Sequence, residues 1–379
     1  MRRVAIVTDW FAPRRGGIET QLGELAARLA GAGQDVRVIT GTPGPPTDAP
    51  FAVGRLGVRT LPSPPLVVSP DLLRALRREL QAGWDVVHAH VSIVSPVGWA
   101  AAYVARSLGL PTVVTFHSVL RGKALALRAA AAVARLSSAR IAWSAVSGLV
   151  ARRAQWALRG APVSVLPNGI DLQWWAKEAP RDGHGGGPVT LVSAMRLHRK
   201  KRGRALIRAF SRAMAGSRTP ARLVIAGDGP DREAIARAVL GDQSLAAHHT
   251  VELPGWMDAA ALRALYRNAD AFVLASVHES FGIAALEAAA SGLPVVARQS
   301  GIAEFVRHGE TGLLVGNDEA LADAMRTMVD DAAARSRLRP ASRELSRFDW
   351  SEVVAAHLAE YERASRLAAT AARAAAPSA

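Results

Sequence analysis

Two carboxylates lie in an unusually apolar part of this sequence. Glu279 and Glu287, with seven residues between them, fall in the stretch VHESFGIAALEAAASGLPVVA, although the chain carries a formal net charge of +15. A carboxylate accepts paired hydrogen bonds from neighbouring hydroxyls, and a buried carboxylate needs a partner. Surface glutamates that decorate a helix are the alternative, but they fit poorly among so many alanines. The pair therefore indicates a site for a sugar-like ligand, with one ring for each carboxylate.

Basic side chains supply the complementary charge. Arg196 directly follows an apolar run, and Lys201 comes five residues later in MRLHRKK. A guanidinium and an ammonium at the end of a strand suit the two phosphates of a nucleoside diphosphate. A solvated basic loop is the alternative, because further cations surround these two: Arg199, Lys200, Arg202 and Arg204.

Glycines mark further positions where a ligand can approach the backbone. Gly16 and Gly17, in RRGGIET, precede a predicted helix whose N-terminus attracts anions. A simple turn is the alternative for this pair, and the spacing is not the G-x-G-x-x-G of a dinucleotide enzyme. Gly229, in VIAGDGP, and Gly255 follow later apolar runs and are weaker signals.

Short β-branched runs alternate with stretches of helical length, as in parallel α/β sheets. The alternation breaks at the Gly-rich segment 177–188 and then restarts. The sequence thus predicts two doubly wound α/β domains, 1–176 and 189–351, with a helix near 352–370 that packs back on the first. Ligands bind beyond the carboxyl ends of such strands, so we expect the site in a cleft between the domains. The residues that follow the apolar runs are Gly16, Gly17, His90, His117, Asn168, Arg196, Gly227–Gly229, Gly255 and Glu279.

The composition excludes several classes of protein. A chain of 379 residues favours two domains, and the absence of cysteine excludes disulfides and sites built on thiolates. No run is apolar enough to span a membrane and the apolar start is too short for a signal peptide, so a cytoplasmic protein is expected. Residues 1–187 carry a net charge of +11 and residues 188–379 only +4. The first half therefore predicts a surface that attracts phosphates, anionic lipid or nucleic acid, unless its arginines merely cover solvated faces.

Together these motifs resemble those of the retaining glycosyltransferases of family 4, which have the two-Rossmann GT-B fold. The resemblance rests on Glu279-x7-Glu287, MRLHRKK, LPNGID at 166–171, GGIE and the histidine of TFH, and it spans essentially the whole chain. Group 1 glycosyltransferases and phosphatidylinositol mannosyltransferases are similar in the same way. The resemblance implies an enzyme that moves a hexose from a nucleotide diphosphate sugar to an acceptor, with retention at the anomeric carbon.

The resemblance also implies a role for each matching residue. Glu279 is expected to contact hydroxyls of the donor sugar and Glu287 the ribose. Arg196 and Lys201 are expected to hold the diphosphate. His117 is expected to touch the donor sugar near the reacting carbon, with a satisfied strand-end histidine as the alternative. Backbone contacts to the donor are expected from Gly16, Gly17, Gly229, Gly255, Ser280, Phe281, Gly282 and Ile283.

Two departures from the family pattern affect the expected diphosphate clamp. The family commonly has glycine after the clamp lysine, whereas this chain has Arg202, so the loop is expected to sit differently or to meet an extra phosphate. Lys200 is adjacent to Lys201, and spacing alone favours Lys201. No metal or other cofactor is expected, because Arg196 and Lys201 supply positive charge and the sequence has no Asp-x-Asp motif.

The substrates are less well defined than the reaction. The donor is expected to be GDP-mannose or a UDP-sugar, and the acceptor lipid-linked or a small molecule in glycolipid or cell-envelope glycan synthesis. Arg121, Arg128 and Arg135 are seven residues apart and share one predicted helical face, with Lys123 nearby. Such a face predicts peripheral contact with anionic lipid at the inner side of the membrane, and a soluble acceptor is the alternative.

Two other functions fit the sequence less well. A sugar-nucleotide epimerase of GT-B architecture is the first, and the pair of glutamates disfavours it. A nucleic-acid-binding protein is the second, because the sequence pI is about 11.3. The chain shows no helix-turn-helix pattern and no alternation of aromatic and basic residues, so nucleic acid is not an expected partner.

Overall fold

The computed structural model describes residues 1–14, 16–58, 69–92, 94–119, 122, 124–133, 140–176, 187–241, 248–340 and 342–375. The chain forms two compact units, one of Met1–Gly169 with Trp350–Ala379 and one of Ile170–Asp349. The boundary between the first and second units thus lies after Gly169, whereas the sequence predicted that the first domain ends at residue 176. The Gly-rich segment 177–188 was expected to be a linker, and its residues 177–186 lie outside the described residues.

The first unit contains a seven-stranded parallel sheet with the strand order β3-β2-β1-β4-β5-β6-β7. Its strands are β1 (Arg3–Thr8), β2 (Asp35–Thr40), β3 (Ala52–Arg55), β4 (Val86–Val91), β5 (Thr112–Phe116), β6 (Ile141–Ala145) and β7 (Val163–Val165). Its first helices are α1 (Gly17–Gly31), α2 (Pro70–Leu80), α3 (Pro96–Ser107), α4 (Ala124–Val133) and α5 (Gly148–Ala157). The winding direction reverses between β1 and β4, the position at which open α/β sheets bind ligands.

The second unit contains a six-stranded parallel sheet with the order β10-β9-β8-β11-β12-β13. Its strands are β8 (Val189–Ala194), β9 (Ala221–Ala226), β10 (His249–Gly255), β11 (Ala271–Leu274), β12 (Val295–Arg298) and β13 (Gly312–Val315). Its helices are α6 (Leu172–Trp175), α7 (Gly203–Met214), α8 (Arg232–Leu240), α9 (Ala259–Arg267), α10 (Ile283–Ala290), α11 (Asp318–Asp330) and α12 (Ala332–Arg337). Here the winding reverses between β8 and β11.

The last helix, α13 (Trp350–Ala375), belongs to the first unit and packs on α1, β4, β5 and β6. Its first residue, Trp350, is buried against Gly169, where an added Cβ atom would lie only 2.4 Å from the indole ring. Glycine is therefore required at 169 for the chain to return to the first unit at this point. Val353 and Tyr361 extend the contact into the core of that unit.

The central strands are buried on both faces because helices cover both sides of each sheet. All six residues of β4 and all six of β8 are buried. This is why the sequence shows continuous β-branched runs instead of the alternation of a half-exposed sheet. The doubly wound parallel α/β class expected from the sequence is confirmed. No helix within the described residues is both long and apolar enough to cross a membrane.

Candidate active site

The winding reversal between β8 and β11 brings together two groups that are 78 residues apart. Lys201 follows β8 and donates a hydrogen bond of 2.7 Å from Nζ to Oε1 of Glu279, which follows β11. Glu279 is only 7% exposed, whereas the Lys201 side chain is 35% exposed, so the ion pair is buried on its carboxylate side alone. Lys200 is exposed, and among the described residues its ammonium has no partner. Lys201 is thus the lysine that meets the carboxylate.

Arg202 holds the turn that presents Lys201. A short 3₁₀ turn, Arg199–Lys201, ends at Arg202, which adopts a left-handed conformation with φ of 61°. This conformation favours glycine and costs another residue about 1–2 kcal/mol. Two hydrogen bonds to Asp318, of 2.9 and 2.6 Å, anchor the guanidinium, which also lowers the pKa of that carboxyl. Arg202 thus adopts the backbone conformation that favours glycine, and Asp318 tethers its side chain. The altered loop or extra phosphate contact expected at this departure stays a prediction.

The glycines of VIAGDGP allow two loops to pack backbone to backbone. A Cβ atom at Gly227 would lie 1.9 Å from the carbonyl oxygen of Met195, and one at Gly229 would lie 2.4 Å from that of Leu197. The Gly227 amide in turn donates to the carbonyl oxygen of Gly255. These contacts fix the loop that carries Arg196, which is exposed. Within the described residues, the Arg196 guanidinium has no ion pair, so it remains available to an anion.

The loop after Glu279 is anchored by an aromatic cluster and leads into α10. Phe281 is buried, with its ring centroid 5.6 Å from that of Phe305 and 5.7 Å from that of Phe348. Gly282 has φ of 94°, and a Cβ atom there would lie 2.7 Å from Ile302. Glycine thus permits the sharp entry into α10, which begins at Ile283. The first amides of a helix lack partners within it and can bind an anion.

Glu287 differs from Glu279 in its surroundings. It lies on α10 near the buried ring of Tyr266, and within the described residues no cation or hydrogen-bond donor reaches its carboxyl group. Burial without compensation raises the pKa of Glu287 from 4.5 to about 8. One glutamate is therefore paired with an ammonium, whereas the other is largely protonated at neutral pH.

The glycine pair of the first unit already has an anion beside it. Glu19, in the first turn of α1, is buried and pairs with Arg14 at 2.9 Å. Its carboxylate fills the space next to Gly16, where a Cβ atom would lie 2.4 Å from Oε2. Gly17 is exposed. Sequence reasoning missed this role of Glu19, although the GGIE motif places a glutamate one turn into the helix.

His117 lies just beyond β5, and its ring pairs with that of His90. The two rings share a hydrogen bond of 2.8 Å between His117 Nε2 and His90 Nδ1. His117 is 9% exposed, and burial lowers its pKa to about 4. Both histidines line a cavity of about 20 Å³ in the first unit, together with His357 of α13. His90 was selected only as a strand-end residue, and His357 was not singled out.

The structure describes one of the four residues that were expected to face a membrane. Arg121, Lys123 and Arg135 lie outside the described residues. Arg128 is described, and its guanidinium stacks 4.8 Å from the ring centroid of Trp156 on α5.

Comparison with known proteins accounts for both halves of the chain. The model of the family described as Glycosyltransferase Family 4 matches residues 15–174, and that of Glycosyl transferases group 1 matches residues 188–331. The chain belongs to glycosyltransferase family 4. The resemblance inferred from the motifs is thereby confirmed, as is the expectation of a transferase enzyme.

Relatives of this family 4 glycosyltransferase match along nearly its whole length. The D-inositol 3-phosphate glycosyltransferase of Pseudarthrobacter chlorophenolicus is 30% identical over 96% of each chain. The GDP-mannose-dependent alpha-(1-6)-phosphatidylinositol dimannoside mannosyltransferase of Mycobacterium tuberculosis is 30% identical over 94% of this chain and 95% of its own. Among solved structures, Anabaena HepE in complex with UDP and glucose superposes with a TM-score of 0.72 at 19% identity, covering 95% of this chain and 99% of that one. The glycosyltransferase thus has the GT-B fold.

The geometry of this glycosyltransferase separates two kinds of polar group at one sheet edge. Lys201 and Arg196 offer positive charge beyond β8, and Glu279 and Glu287 place carboxyl groups beyond β11, of which that of Glu279 accepts from Lys201. Cations stabilise negative charge that develops on a leaving phosphate, and carboxylates orient hydroxyls. One edge of the second unit therefore carries both kinds of group.

Proposed function

We propose that this glycosyltransferase moves a hexose from a nucleotide diphosphate sugar with retention of configuration and without a metal ion. The observation that carries the proposal is the Lys201–Glu279 ion pair just before α10, the helix that carries Glu287. Within the described residues, the Glu287 carboxyl group has no ion pair. On this proposal Glu279 binds hydroxyls of the hexose, Glu287 binds the ribose, and Arg196 and Lys201 hold the diphosphate.

The proposed reaction exchanges one bond at the anomeric carbon on a single face of the sugar. The bond to the diphosphate oxygen breaks, and a bond to the acceptor oxygen forms on the same face. The acceptor proton passes to the departing phosphate oxygen, so no protein base is needed. Arg196 and Lys201 stabilise the charge that builds up on the diphosphate, the role that a divalent cation has in other transferases.

Donor binding on this proposal changes the partners of Lys201. Its ammonium donates to Glu279 at 2.7 Å. An arriving diphosphate attracts the ammonium, and a sugar hydroxyl donates to the carboxylate. The ion pair thus keeps both groups compensated until each has a ligand, because an uncompensated buried carboxylate is costly.

Nucleotide release tests the proposal directly. Purified protein is first screened by thermal shift with GDP-mannose and several UDP-sugars, and the stabilising donor is then incubated with candidate acceptors in EDTA. We expect release of GDP or UDP that depends on acceptor, and an unchanged anomeric configuration in the product by NMR. A folded protein that releases no nucleotide with any combination would refute the proposed reaction, and dependence on added metal would refute its metal independence.

The acceptor side of the proposal is a lipid-linked substrate at an anionic membrane surface. Leu125 on α4 is 69% exposed and Trp156 on α5 is 49% exposed, with Arg128 stacked on the indole. A cation beside exposed apolar and aromatic groups suits the boundary between lipid headgroups and acyl chains. The dimannoside mannosyltransferase relative is named for a phosphatidylinositol substrate, which supports this choice.

Vesicle flotation tests this surface with a matched control. The variant Leu125→Ser/Arg128→Ser removes one exposed leucine and one arginine from α4. The control Leu240→Ser/Arg237→Ser makes the same change on α8, where Leu240 is 86% exposed. We expect the parent and the control to float with vesicles containing phosphatidylinositol and the α4 variant to float at least severalfold less. Equal flotation of all three proteins would exclude this surface as the lipid contact.

A further inference from the structure

One face of the first sheet carries a row of buried polar side chains that the proposed reaction does not use. His88 and His90 come from β4, and Thr115 comes from β5. His88 and His90 lie beneath α13, which contributes His357 and Tyr361 to the same cluster. A buried polar group without a partner costs free energy, so the hydrogen bonds of this cluster determine which nitrogen carries each proton.

The hydrogen bonds of His88 form a chain with a single direction. Ser144 donates to the carbonyl oxygen of Val114, so its oxygen accepts from Thr115 at 2.6 Å. Thr115 in turn accepts from His88 Nε2 at 2.7 Å, and His88 Nδ1 accepts from the Tyr361 hydroxyl at 3.0 Å. Every member is satisfied when His88 is neutral with its proton on Nε2. His88 therefore needs no further partner.

His90 is different, because only one of its nitrogens has a partner. Nδ1 meets His117 Nε2 at 2.8 Å, whereas Nε2 is buried without a hydrogen-bond partner among the described residues. His90 is 4% exposed. Its Nε2 is therefore either an acceptor without a donor or an N–H group without an acceptor among the described residues. Among backbone groups, buried N–H donors without a partner are rarer than under-satisfied acceptors. By the same preference, we place the proton of the His90 ring on Nδ1.

We propose that His90 is a positioning residue that donates its Nδ1–H to His117 Nε2 and thereby makes His117 Nδ1 a hydrogen-bond donor. This inference rests on the proposed function and on the role that the family resemblance implies for His117, contact with the donor sugar near the reacting carbon. With Nε2 occupied as an acceptor, the neutral His117 ring carries its proton on Nδ1. His117 then donates to an oxygen of the substrate and does not act as a base.

The environment keeps both rings neutral. Burial lowers the pKa of His90, and the neighbouring His88, His117 and His357 lower it further. Burial likewise lowers the pKa of His117 to about 4, with His357 as a second cause. A neutral donor suits the same-face mechanism, because the acceptor proton leaves with the phosphate and a second base would compete for it. The His117 Nδ1–H group stabilises a developing negative charge without adding a full positive charge.

Imidazole NMR tests the tautomer without substrate. Long-range ¹H–¹⁵N correlation spectra distinguish protonated from unprotonated ring nitrogens, and the His117→Gln variant assigns the signals. We expect His117 to carry its proton on Nδ1 and His90 to do the same. A His117 ring protonated on Nε2 in the parent protein would overturn the proposal, whatever the enzyme's activity.

Two isosteric variants at 90 extend the test to turnover. Asparagine can supply an N–H group near the position of Nδ1, whereas an ionised aspartate can only accept. His90→Asp is expected to move the His117 proton to Nε2 and to lower kcat at least tenfold relative to His90→Asn, with little difference in donor KM. Equal kcat values for the two variants, with both tautomers assigned, would overturn the positioning role.

His88→Asn is the matched control on the same strand. It disturbs the Tyr361–His88–Thr115 chain but leaves the His90–His117 contact, so we expect reduced stability without a change in the His117 tautomer. Loss of the Nδ1–H tautomer in this control would show that general packing sets it and would also overturn the proposal. If instead the tautomer is as expected but His117→Gln turns over normally, the proposed substrate contact of His117 fails, and its assignment as a hydrogen-bond donor to substrate fails with it.

Discussion

Replacing Lys201 by alanine is expected to lower kcat by roughly 10²–10³-fold, because the variant loses the cation that, on the proposed function, stabilises the leaving diphosphate. The loss should fall mainly on turnover, since charge on the diphosphate develops in the transition state and ground-state binding retains Arg196. Initial rates over a range of donor concentrations, with nucleotide release as the readout, measure this split. Lys200→Ala is the control, because that neighbour is exposed and does not contact Glu279.

The same substitution has a structural effect that can be separated from catalysis. Without the ammonium, the 7% exposed carboxylate of Glu279 has lost its ion pair, which is expected to cost about 1–3 kcal/mol of stability. The double variant Lys201→Ala/Glu279→Gln replaces that carboxylate by a neutral amide. We expect it to regain much of the stability in urea denaturation but none of the turnover. Recovery of turnover in the double variant, or a single variant with nearly normal kcat, would show that Lys201 serves only to compensate Glu279.

Removing the carboxyl group of Glu287 is expected to weaken nucleotide binding by about 10–100-fold, with a pH dependence that identifies the cause. On the proposed function, ribose hydroxyls donate to the ionised carboxylate and so favour its charged form. Because the ligand-free pKa is about 8, nucleotide binding at pH 7 must first remove a proton. By linkage, affinity is expected to be about tenfold higher at pH 9 than at pH 7.

Calorimetric titration with the nucleoside diphosphate between pH 7 and pH 9 measures this change in affinity. The terminal phosphate of the nucleotide is already ionised in this range, because its second pKa is about 6. The Glu287→Gln variant is expected to bind weakly and with little dependence on pH. A parent protein whose affinity does not change between pH 7 and pH 9 would mean that the ribose does not contact the ionised carboxylate.

Stability provides an independent measure of the same proton. Folding raises the pKa of Glu287 from 4.5 to about 8. The contribution of this group to the free energy of unfolding is therefore fully present below pH 4.5 and is lost as the pH rises towards 8. Over that interval we expect the parent to lose about 1.4 kcal/mol per pH unit relative to Glu287→Gln. The glutamine variant should thus be the more stable protein at neutral pH and the weaker binder.

Much of the fold and part of the site follow from local features of the sequence. Continuous β-branched runs separated by helical stretches are enough to predict two doubly wound sheets, because burial on both faces has a local signature. Arg196 and Glu279 could be selected because the ends of the apolar runs are visible in the sequence, and ligands bind beyond the carboxyl ends of such strands. Family membership could likewise be recognised, since its motifs are short and their spacing is visible along the chain.

Arg202 and Glu19 have contacts that could not be predicted from neighbouring residues in the sequence. The sequence showed that Arg202 stands where the family has glycine, but Asp318, its tether, is 116 residues away. Glu19 is visible beside Gly16 in GGIE, but its burial against Arg14 is not. In both cases an ion pair formed in the folded structure determines where a charged side chain points.

Glu279 and Glu287 show which properties depend on the sequence and which depend on the tertiary structure. Their identity, their spacing and their suitability for hydroxyl groups are properties of the sequence alone. Only the tertiary structure decided that Glu279 is paired with Lys201 and that Glu287 has no cation within the described residues, just as only strand neighbours β4 and β5 bring His90 to His117. The physical reason is that ion pairing and desolvation depend on atoms brought close by distant parts of the chain, and these interactions set the charge of each group.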